Sequence, residues 1–143
     1  MLKRMDHVGV SVKDIEKAIC FYRDVIGMEK VFDREFDSPL AQIIGVDGAR
    51  ARIVHMKRGE SVVELFHYFS LTGRPPRQDQ NQSDFGLTHI GFLVEDFEQT
   101  YLDLKQKGVA FLGEPVEIRS GVFVAYFRGA EHEICEMREI VTG

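Results

Sequence analysis

The sequence has too little cysteine for sulfur chemistry. Its 143 residues include two cysteines, Cys20 in a predicted helix and Cys135 in a predicted strand. No disulfide framework, CxxC redox motif or thiolate cluster can be read from this pair. We interpret both as reduced residues that serve packing.

Long apolar runs and concentrations of positive charge are also missing. No stretch approaches the ~20 apolar residues of a membrane span, and the N-terminus has no apolar signal segment. Lysine and arginine are scattered and the net charge is -5, so the sequence offers no basic surface for nucleic acid or anionic membranes. We expect a cytoplasmic protein that has neither of these partners.

The sequence does contain an internal repeat within an ordinary globular composition, 44% hydrophobic and 29% charged. RMDHVGVSVKD at 4–14 aligns with LTHIGFLVED at 87–96. The identical pairs are His7 with His89, Gly9 with Gly91, Val12 with Val94, Asp14 with Asp96, and Glu16 with Glu98. The repeat predicts two modules of one layout, 1–69 and 85–143, joined by a linker at 70–84 within a single domain.

Periodicity predicts the same element order in both modules. Module one has a strand at 7–12, a helix from the N-cap Asp14 to Gly27, and strands at 30–35, 49–57 and 60–68. A short helical segment is expected at 38–45, and a tight turn at Arg58 and Gly59. Module two has a strand at 89–94, a helix between a capping box of Asp96 and Gln99 and a stop at Gly108, and strands at 109–118, 121–127 and 133–138.

Each module is therefore predicted as β-α-β-β-β, which makes the fold α+β. One helix should cover one face of a four-stranded mixed sheet and leave the other face open, so two open faces would share a central cleft. The segment SLTGRPPRQDQNQSDFG at 70–86 cannot build a core. It is either a linker or a loop over a functional site, and we favour the linker.

Four polar residues lie in phase on the predicted open faces. His7 and His89 begin the first strand of each module, and Glu64 and Glu136 interrupt apolar runs in the last strand of each. A carboxylate within a half-buried strand is costly unless a cation or hydrogen-bond donors meet it. Its occurrence in both copies predicts a metal site, although a duplicated pair of structural histidines is the plainer alternative.

Two imidazoles and two carboxylates suit one divalent ion of Ni, Co, Zn, Mn or Fe, and would leave two positions open on an octahedral ion. A substrate with two adjacent oxygens would fill those positions. The remaining histidines, His55, His67 and His132, have no counterpart in the repeat. The HEICE segment lacks the second histidine of a zinc helix. Three further side chains could contact substrate, although a surface or core role is the plainer interpretation; they are Arg52, Arg119 and Tyr126.

Together these segments resemble the vicinal oxygen chelate superfamily, which includes glyoxalase I, bleomycin resistance proteins and ring-cleaving dioxygenases. The resemblance is carried by HVGVSVKDIEKAICFYRDVIGM, VELF, THIGFLVEDFEQTYLDLKQKGV and ICEM, and it covers essentially the whole chain. It implies a metal held at the positions of His7, Glu64, His89 and Glu136. It also implies modules that curl into a cleft, and a homodimer.

Four protein ligands favour a lyase or isomerase of the glyoxalase I type. The metal would chelate a carbonyl and its neighbouring oxygen and stabilise the enediolate that forms when a carboxylate removes the adjacent proton. Glu136 or Glu64 would be that base, with Glu136 preferred because it resembles metal-bound glutamates that do this. One alternative is an Fe(II)-dependent ring-cleaving dioxygenase. Another is a metal-free protein that binds a small molecule.

Overall fold

The computed structural model describes residues 1–75 and 82–141. The chain divides into two compact units, Met1–Pro75 and Pro76–Gly143. Part of the predicted linker, 76–81, lies outside the described residues. The flanking residues 70–75 and 82–89 contain neither helix nor strand.

Unit one contains a four-stranded mixed sheet, as predicted. Its elements in chain order are β1 (Val8–Ser11), α1 (Ile15–Cys20), β2 (Glu29–Phe36), α2 (Ser38–Ile44), β3 (Ala51–Arg58) and β4 (Ser61–Tyr68). The strand order is β1-β4-β3-β2, with β1 parallel to β4 and the other neighbours antiparallel. The first and last strands of the repeat are thus adjacent, which brings the start of β1 beside the middle of β4.

The first helix begins and ends where its local chemistry predicts. The Asp14 side chain accepts a hydrogen bond from the Lys17 backbone N–H at 3.0 Å, so it is the N-cap. A π-helical turn, Phe21–Val25, extends α1. Gly27 then adopts a φ of +82°, a left-handed conformation that favours glycine at the end of a helix.

The hairpin between β3 and β4 differs from the predicted turn by one residue. Arg58 pairs with Ser61, so the two turn residues are Gly59 and Glu60, not Arg58 and Gly59. This change moves every cross-strand partner by two positions and leaves each side chain on its predicted face. It pairs His55 directly with Glu64.

Unit two repeats the topology with the strand order β5-β8-β7-β6 and β5 parallel to β8. Its elements are β5 (Ile90–Leu93), α3 (Phe97–Gln106), β6 (Val116–Arg119), β7 (Val122–Arg128) and β8 (Ile134–Ile140). The strand predicted at 109–118 was wrong for residues 109–115. These residues join β7 through isolated backbone hydrogen bonds and through Phe111, which forms a bridge and a ring contact with Phe127. Pro115 lacks an N–H for a ladder, so β6 starts after it.

The predicted capping box of α3 is half formed. The Asp96 carboxylate accepts from the Gln99 backbone N–H at 3.3 Å. The Gln99 side chain instead donates to Asp103 at 2.7 Å, and the Asp96 N–H donates to Glu139 of β8 at 3.1 Å. The Glu139 carboxylate therefore takes the place of the Gln99 side chain as the partner of the Asp96 N–H, and it links the start of α3 to the sheet.

The apolar core of each unit lies between its helix and one sheet face. Fully buried residues in unit one include Tyr22, Val54, Met56 and Leu65, and in unit two Phe127, Cys135 and Met137. The other face of unit one is not wholly open, because Leu40 of α2 packs on Ala51 and Ile53 of β3. None of the helices in the described residues has the length and apolarity that crossing a membrane requires.

Candidate metal centre

The structure brings the four predicted ligand residues together as two equivalent pairs, one in each unit. In unit one, His7 Nε2 lies 3.3 Å from Glu64 Oε2. In unit two, His89 Nε2 lies 3.2 Å from Glu136 Oε2. The parallel pairing of the first and last strands positions each histidine beside the glutamate of its own unit.

A glycine leaves room for each glutamate or its neighbour. Gly91 is the β5 partner of Glu136, and a Cβ there would lie 3.2 Å from Glu136 Oε2. The equivalent Gly9 is less constrained, since its Cβ would meet the Phe66 ring at an ordinary 3.5 Å. The conformation of the Glu136 carboxylate therefore depends on the missing side chain at Gly91.

The His7 imidazole faces a carboxylate on both sides. Its Nδ1 lies 3.0 Å from Asp6 Oδ2, and an ionised carboxylate only accepts, so Nδ1 carries the proton. Nε2 then faces Glu64, which also only accepts. A carboxylate oxygen repels a lone pair that faces it, so a cation at Nε2, either a second proton or a metal ion, would stabilise this contact. The hydrogen bond to Asp6 raises the pKa of His7, and the charge of Glu64 raises it further.

The His89 imidazole is held by different neighbours. Its Nδ1 shares a 2.8 Å hydrogen bond with the Thr88 hydroxyl. The Tyr126 ring packs edge-on against it, with centroids 5.2 Å apart. Tyr126 is also the β7 partner of Glu136. Burial, and then the charge of Glu136, raise the pKa of the Tyr126 hydroxyl.

His55 is a site residue that the repeat did not identify. Its Nε2 lies 2.8 Å from Glu64 Oε1, the oxygen that does not face His7. The ring packs on Phe32 at a centroid distance of 4.6 Å, which fixes its position. The repeat could not reveal it because unit two has Tyr126 as the partner of its glutamate. The available signal was the alternation of side chains along β3, which places His55 on the same sheet face as Glu64.

The two glutamates are consequently bound differently. Both oxygens of Glu64 are engaged, one by His7 and the other by His55. Glu136 contacts His89 through Oε2, and among the described residues its Oε1 has no hydrogen-bond partner. Both side chains are largely buried, with 15% and 16% of their surface exposed. Glu64 is fixed in place, whereas Glu136 retains a free oxygen.

Each pair has the spacing of two neighbouring ligands on one ion. With metal–ligand bonds of about 2.1 Å, cis ligands of an octahedral ion lie about 3.0 Å apart. The observed separations of 3.3 and 3.2 Å are close to that value. No three His, Cys, Asp or Glu side chains of the described residues form a group that could hold a metal. Either pair alone therefore supplies only two ligands.

The remaining histidines, Arg52, Arg119 and Cys135 lie in the core, in ion pairs or on the surface. His67 lies on the opposite face of β4, with Nδ1 3.3 Å from the Val12 carbonyl. Arg52 forms a two-point ion pair with Asp33 and also contacts Glu16. His132 is exposed in the turn before β8 with a φ of +68°. Arg119 is exposed on β6. Burial raises the pKa of the Cys135 thiol, consistent with a packing role.

Proteins that are similar to this chain in sequence include two epimerases. The chain is 26% identical over 117 residues to mitochondrial methylmalonyl-CoA epimerase of Mus musculus, covering 82% of this chain and 60% of the relative. It is 33% identical over 121 residues to 2-epi-5-epi-valiolone epimerase of an Actinomyces species, covering 80% of this chain and 65% of the relative. The chain thus spans less than two thirds of each relative's length.

Solved structures and family models agree with the fold. A glyoxalase family protein of Bacillus cereus superimposes with a TM-score of 0.89 at 23% identity, covering 99% of this chain and 97% of that one. The family model described as Glyoxalase/Bleomycin resistance protein/Dioxygenase superfamily matches residues 4–132.

Proposed function

Because this chain belongs to the Glyoxalase/Bleomycin resistance protein/Dioxygenase superfamily, we propose that it is a metal-dependent lyase or isomerase of the glyoxalase I type. Its substrate would be a small molecule with a carbonyl and an adjacent oxygen, from which the enzyme removes and returns a proton. The observation that carries this proposal is the pair of His–Glu contacts, equivalent in the two units.

The proposed ligands of one divalent ion are His7, Glu64, His89 and Glu136. Two neutral imidazoles and two carboxylates neutralise a 2+ charge, and an octahedral ion would keep two positions for substrate oxygens. When bound, the ion would act as a Lewis acid that stabilises negative charge on those oxygens. The Asp6 carboxylate and the Thr88 hydroxyl, each at a histidine Nδ1, would orient the imidazoles as outer partners do in metal sites.

The unequal environments of the glutamates support Glu136 as the base. Its Oε1 is free of hydrogen bonds within the described residues and can accept a proton from substrate. Glu64 is held at both oxygens by His7 and His55 and suits a fixed ligand. Burial, and then the charge of Glu136, raise the pKa of Tyr126, which favours the neutral phenol, and its ring would limit water at that carboxylate.

The two epimerase relatives support an isomerase in particular. Epimerisation next to a carbonyl and glyoxalase I-type isomerisation share one elementary event, the transfer of a proton alpha to a carbonyl. A single carboxylate that takes a proton and returns it to the neighbouring carbon suits glyoxalase I-type isomerisation, whereas epimerisation also needs a proton donor on the opposite face of the substrate. A homodimer is part of the proposal, and light scattering would test it against the 16.4 kDa of one chain.

Metal content of untagged protein, measured by plasma mass spectrometry, tests the ligand set. We expect about one divalent ion per chain in the parent and almost none in His7→Ala, His89→Ala or the double variant, because two or three remaining ligands bind weakly. His67→Ala, on the opposite face of β4, is the control and should keep the ion. A parent that stays empty after incubation with Ni, Co, Zn, Mn and Fe would end the proposal. Two ions per chain, one lost in each single variant, would show separate sites.

Proton transfer is tested by solvent exchange. Methylmalonyl-CoA and the adduct of methylglyoxal with glutathione would be incubated in D₂O with metal-loaded protein, and deuterium at the carbon next to the carbonyl measured by mass spectrometry. Glu136→Gln should reduce exchange by about 100-fold or more while Glu64→Gln mainly weakens metal binding. Loss of exchange in Glu64→Gln alone would reverse the assignment. Oxygen uptake with a catechol and Fe(II) would favour the dioxygenase alternative.

A further inference from the structure

Arg138 lies on the same sheet face as the candidate base, and its guanidinium has no partner among the described residues. It lies two residues after Glu136 on β8, so both side chains project from one face, about 7 Å apart along the strand. Its strand partners are Leu93 of β5 and Val124 of β7, both apolar. Arg138 is thus the next residue after Glu136 on this face of β8, and its neighbours on both adjacent strands are apolar.

The Nε–H of Arg138 is buried and donates to no acceptor in residues 1–75 or 82–141. The guanidinium has no ion pair or ring contact in the same part of the chain. Native proteins rarely leave a buried donor unpaired, because the group loses water without gaining a replacement. The Nε–H of Arg138 is therefore a donor that a ligand oxygen can fill.

Nearby carboxylates do not supply that acceptor. Glu136 contacts His89, and Glu139, which alternates to the opposite face, accepts the two N–H groups that begin α3. The partly buried Arg52 is neutralised locally by a two-point pair with Asp33. Arg138 differs from it in having an apolar surrounding and an unfilled donor.

The repeat shows that strand geometry does not require an arginine here. Phe66 is the counterpart in unit one, since it also lies two residues after the glutamate. The backbone carbonyls of Phe66 and Arg138 accept equivalent hydrogen bonds, from Val12 N–H at 2.8 Å and Val94 N–H at 2.9 Å. Phe66 stacks on Tyr68 and continues an aromatic surface. Unit two therefore carries a charge where the same fold accommodates an aromatic ring.

We propose that Arg138 binds an anionic oxygen group of the substrate, a carboxylate or a phosphate, next to the carbon that Glu136 deprotonates. An arginine fork matches two oxygens of such a group. The proposal rests on the proposed function for the role of Glu136, and it narrows the substrate class to acids or phosphorylated compounds whose anionic group lies within a few bonds of the reacting carbon.

Arginine side-chain NMR tests the contact at the atom concerned. The ¹⁵N-labelled full chain, metal-free and Co(II)-loaded, would be titrated at low salt with succinate, inorganic phosphate or neutral succinamide. The Nε–H signal that disappears in Arg138→Lys identifies this residue. We expect that signal to shift with at least one anion and not with succinamide. The anion that binds with higher affinity identifies the substrate group as a carboxylate or a phosphate. No shift with either anion would overturn the proposal.

Substitutions measure how much of the affinity depends on Arg138. Arg138→Gln should weaken anion binding by about 10- to 100-fold, since charge-assisted hydrogen bonds are lost, and Arg138→Lys should recover part of it. Arg119→Gln, which removes an exposed arginine from the same unit, should bind within about twofold of the parent. Equal affinity in Arg138→Gln and the parent would refute the proposal.

Metal content separates this proposal from the proposed function. Arg138→Gln should take up metal as the parent does, so its lost anion affinity would be due to Arg138. If the parent takes up no metal but its metal-free form still binds the anion through Arg138, the proposed function fails and the anion site stands. If the parent takes up metal but does not bind the anion, the proposal for Arg138 fails and the proposed function is unaffected.

Discussion

Replacing His55 by phenylalanine should weaken metal binding while preserving the strand that carries it. The substitution removes the hydrogen bond from Nε2 to Glu64 Oε1, which is 2.8 Å long. It keeps an aromatic ring against Phe32, whose centroid lies 4.6 Å from that of His55. The variant therefore isolates the hydrogen bond from the packing.

The size of the effect follows from the surroundings of the bond. A hydrogen bond to a charged group contributes about 1.5–3 kcal/mol. His55 is 32% exposed, which favours the lower end of that range, and Glu64 is 15% exposed. Loss of an outer partner of a metal ligand costs about 10- to 100-fold in metal affinity, or about 1.4–2.7 kcal/mol. We expect a loss of about 10- to 30-fold.

Competition for Co(II) against a coloured chelator would measure this loss. His67→Phe is the matched control because it makes the same substitution on the opposite sheet face, and its affinity should equal that of the parent. His55→Gln, whose amide can donate to Oε1, should recover part of the affinity. If His55→Phe binds Co(II) within about twofold of the parent, or if His67→Phe loses as much, Glu64 does not depend on His55.

Three further predictions concern the two units. Leu65→Ala should lower the free energy of unfolding by about 2–5 kcal/mol in urea titrations, because Leu65 is fully buried; a loss below about 1 kcal/mol would contradict its core position. Gly91→Ala should displace Glu136 and weaken metal binding severalfold by the same competition assay, because its Cβ would lie 3.2 Å from the carboxylate. Gly9→Ala should leave metal affinity unchanged, because a Cβ there makes only ordinary contacts. If both variants lose affinity equally, crowding of the carboxylate is not the cause. The Arg52 guanidinium holds the pKa of Asp33 well below its ordinary value. The Asp33→Asn variant should therefore be less stable than the parent at pH 7, with a difference that narrows below about pH 4 as the parent carboxylate protonates. A difference in unfolding free energy that is constant with pH would refute this linkage.

Much of the fold was predictable because side-chain periodicity records which face of a strand is buried. Val63 and Leu65 lie in the core and Glu64 on the other face, as alternation along β4 indicates. The repeat predicted both sheets, because two copies of one pattern must satisfy the same packing. The Asp14 cap is a contact with the nearby Lys17, and glycine favours the left-handed end of a helix at Gly27, so sequence was sufficient to predict both.

Contacts between side chains on neighbouring strands could not be predicted from the sequence. Periodicity fixes the face of His55 but not its partner; the partner depends on a turn that lies one residue later than expected, and that turn pairs His55 with Glu64. The missing acceptor at Arg138 is likewise visible only after β5 and β7 are in place. The sequence by itself determined the order of the elements, and it was sufficient to propose the four residues of the candidate centre. Tertiary structure decided that Glu64 is held at both oxygens and that the Nε–H of Arg138 finds no acceptor within the described residues. Hydrogen bonds across strands depend on register, whereas a sequence pattern records only phase.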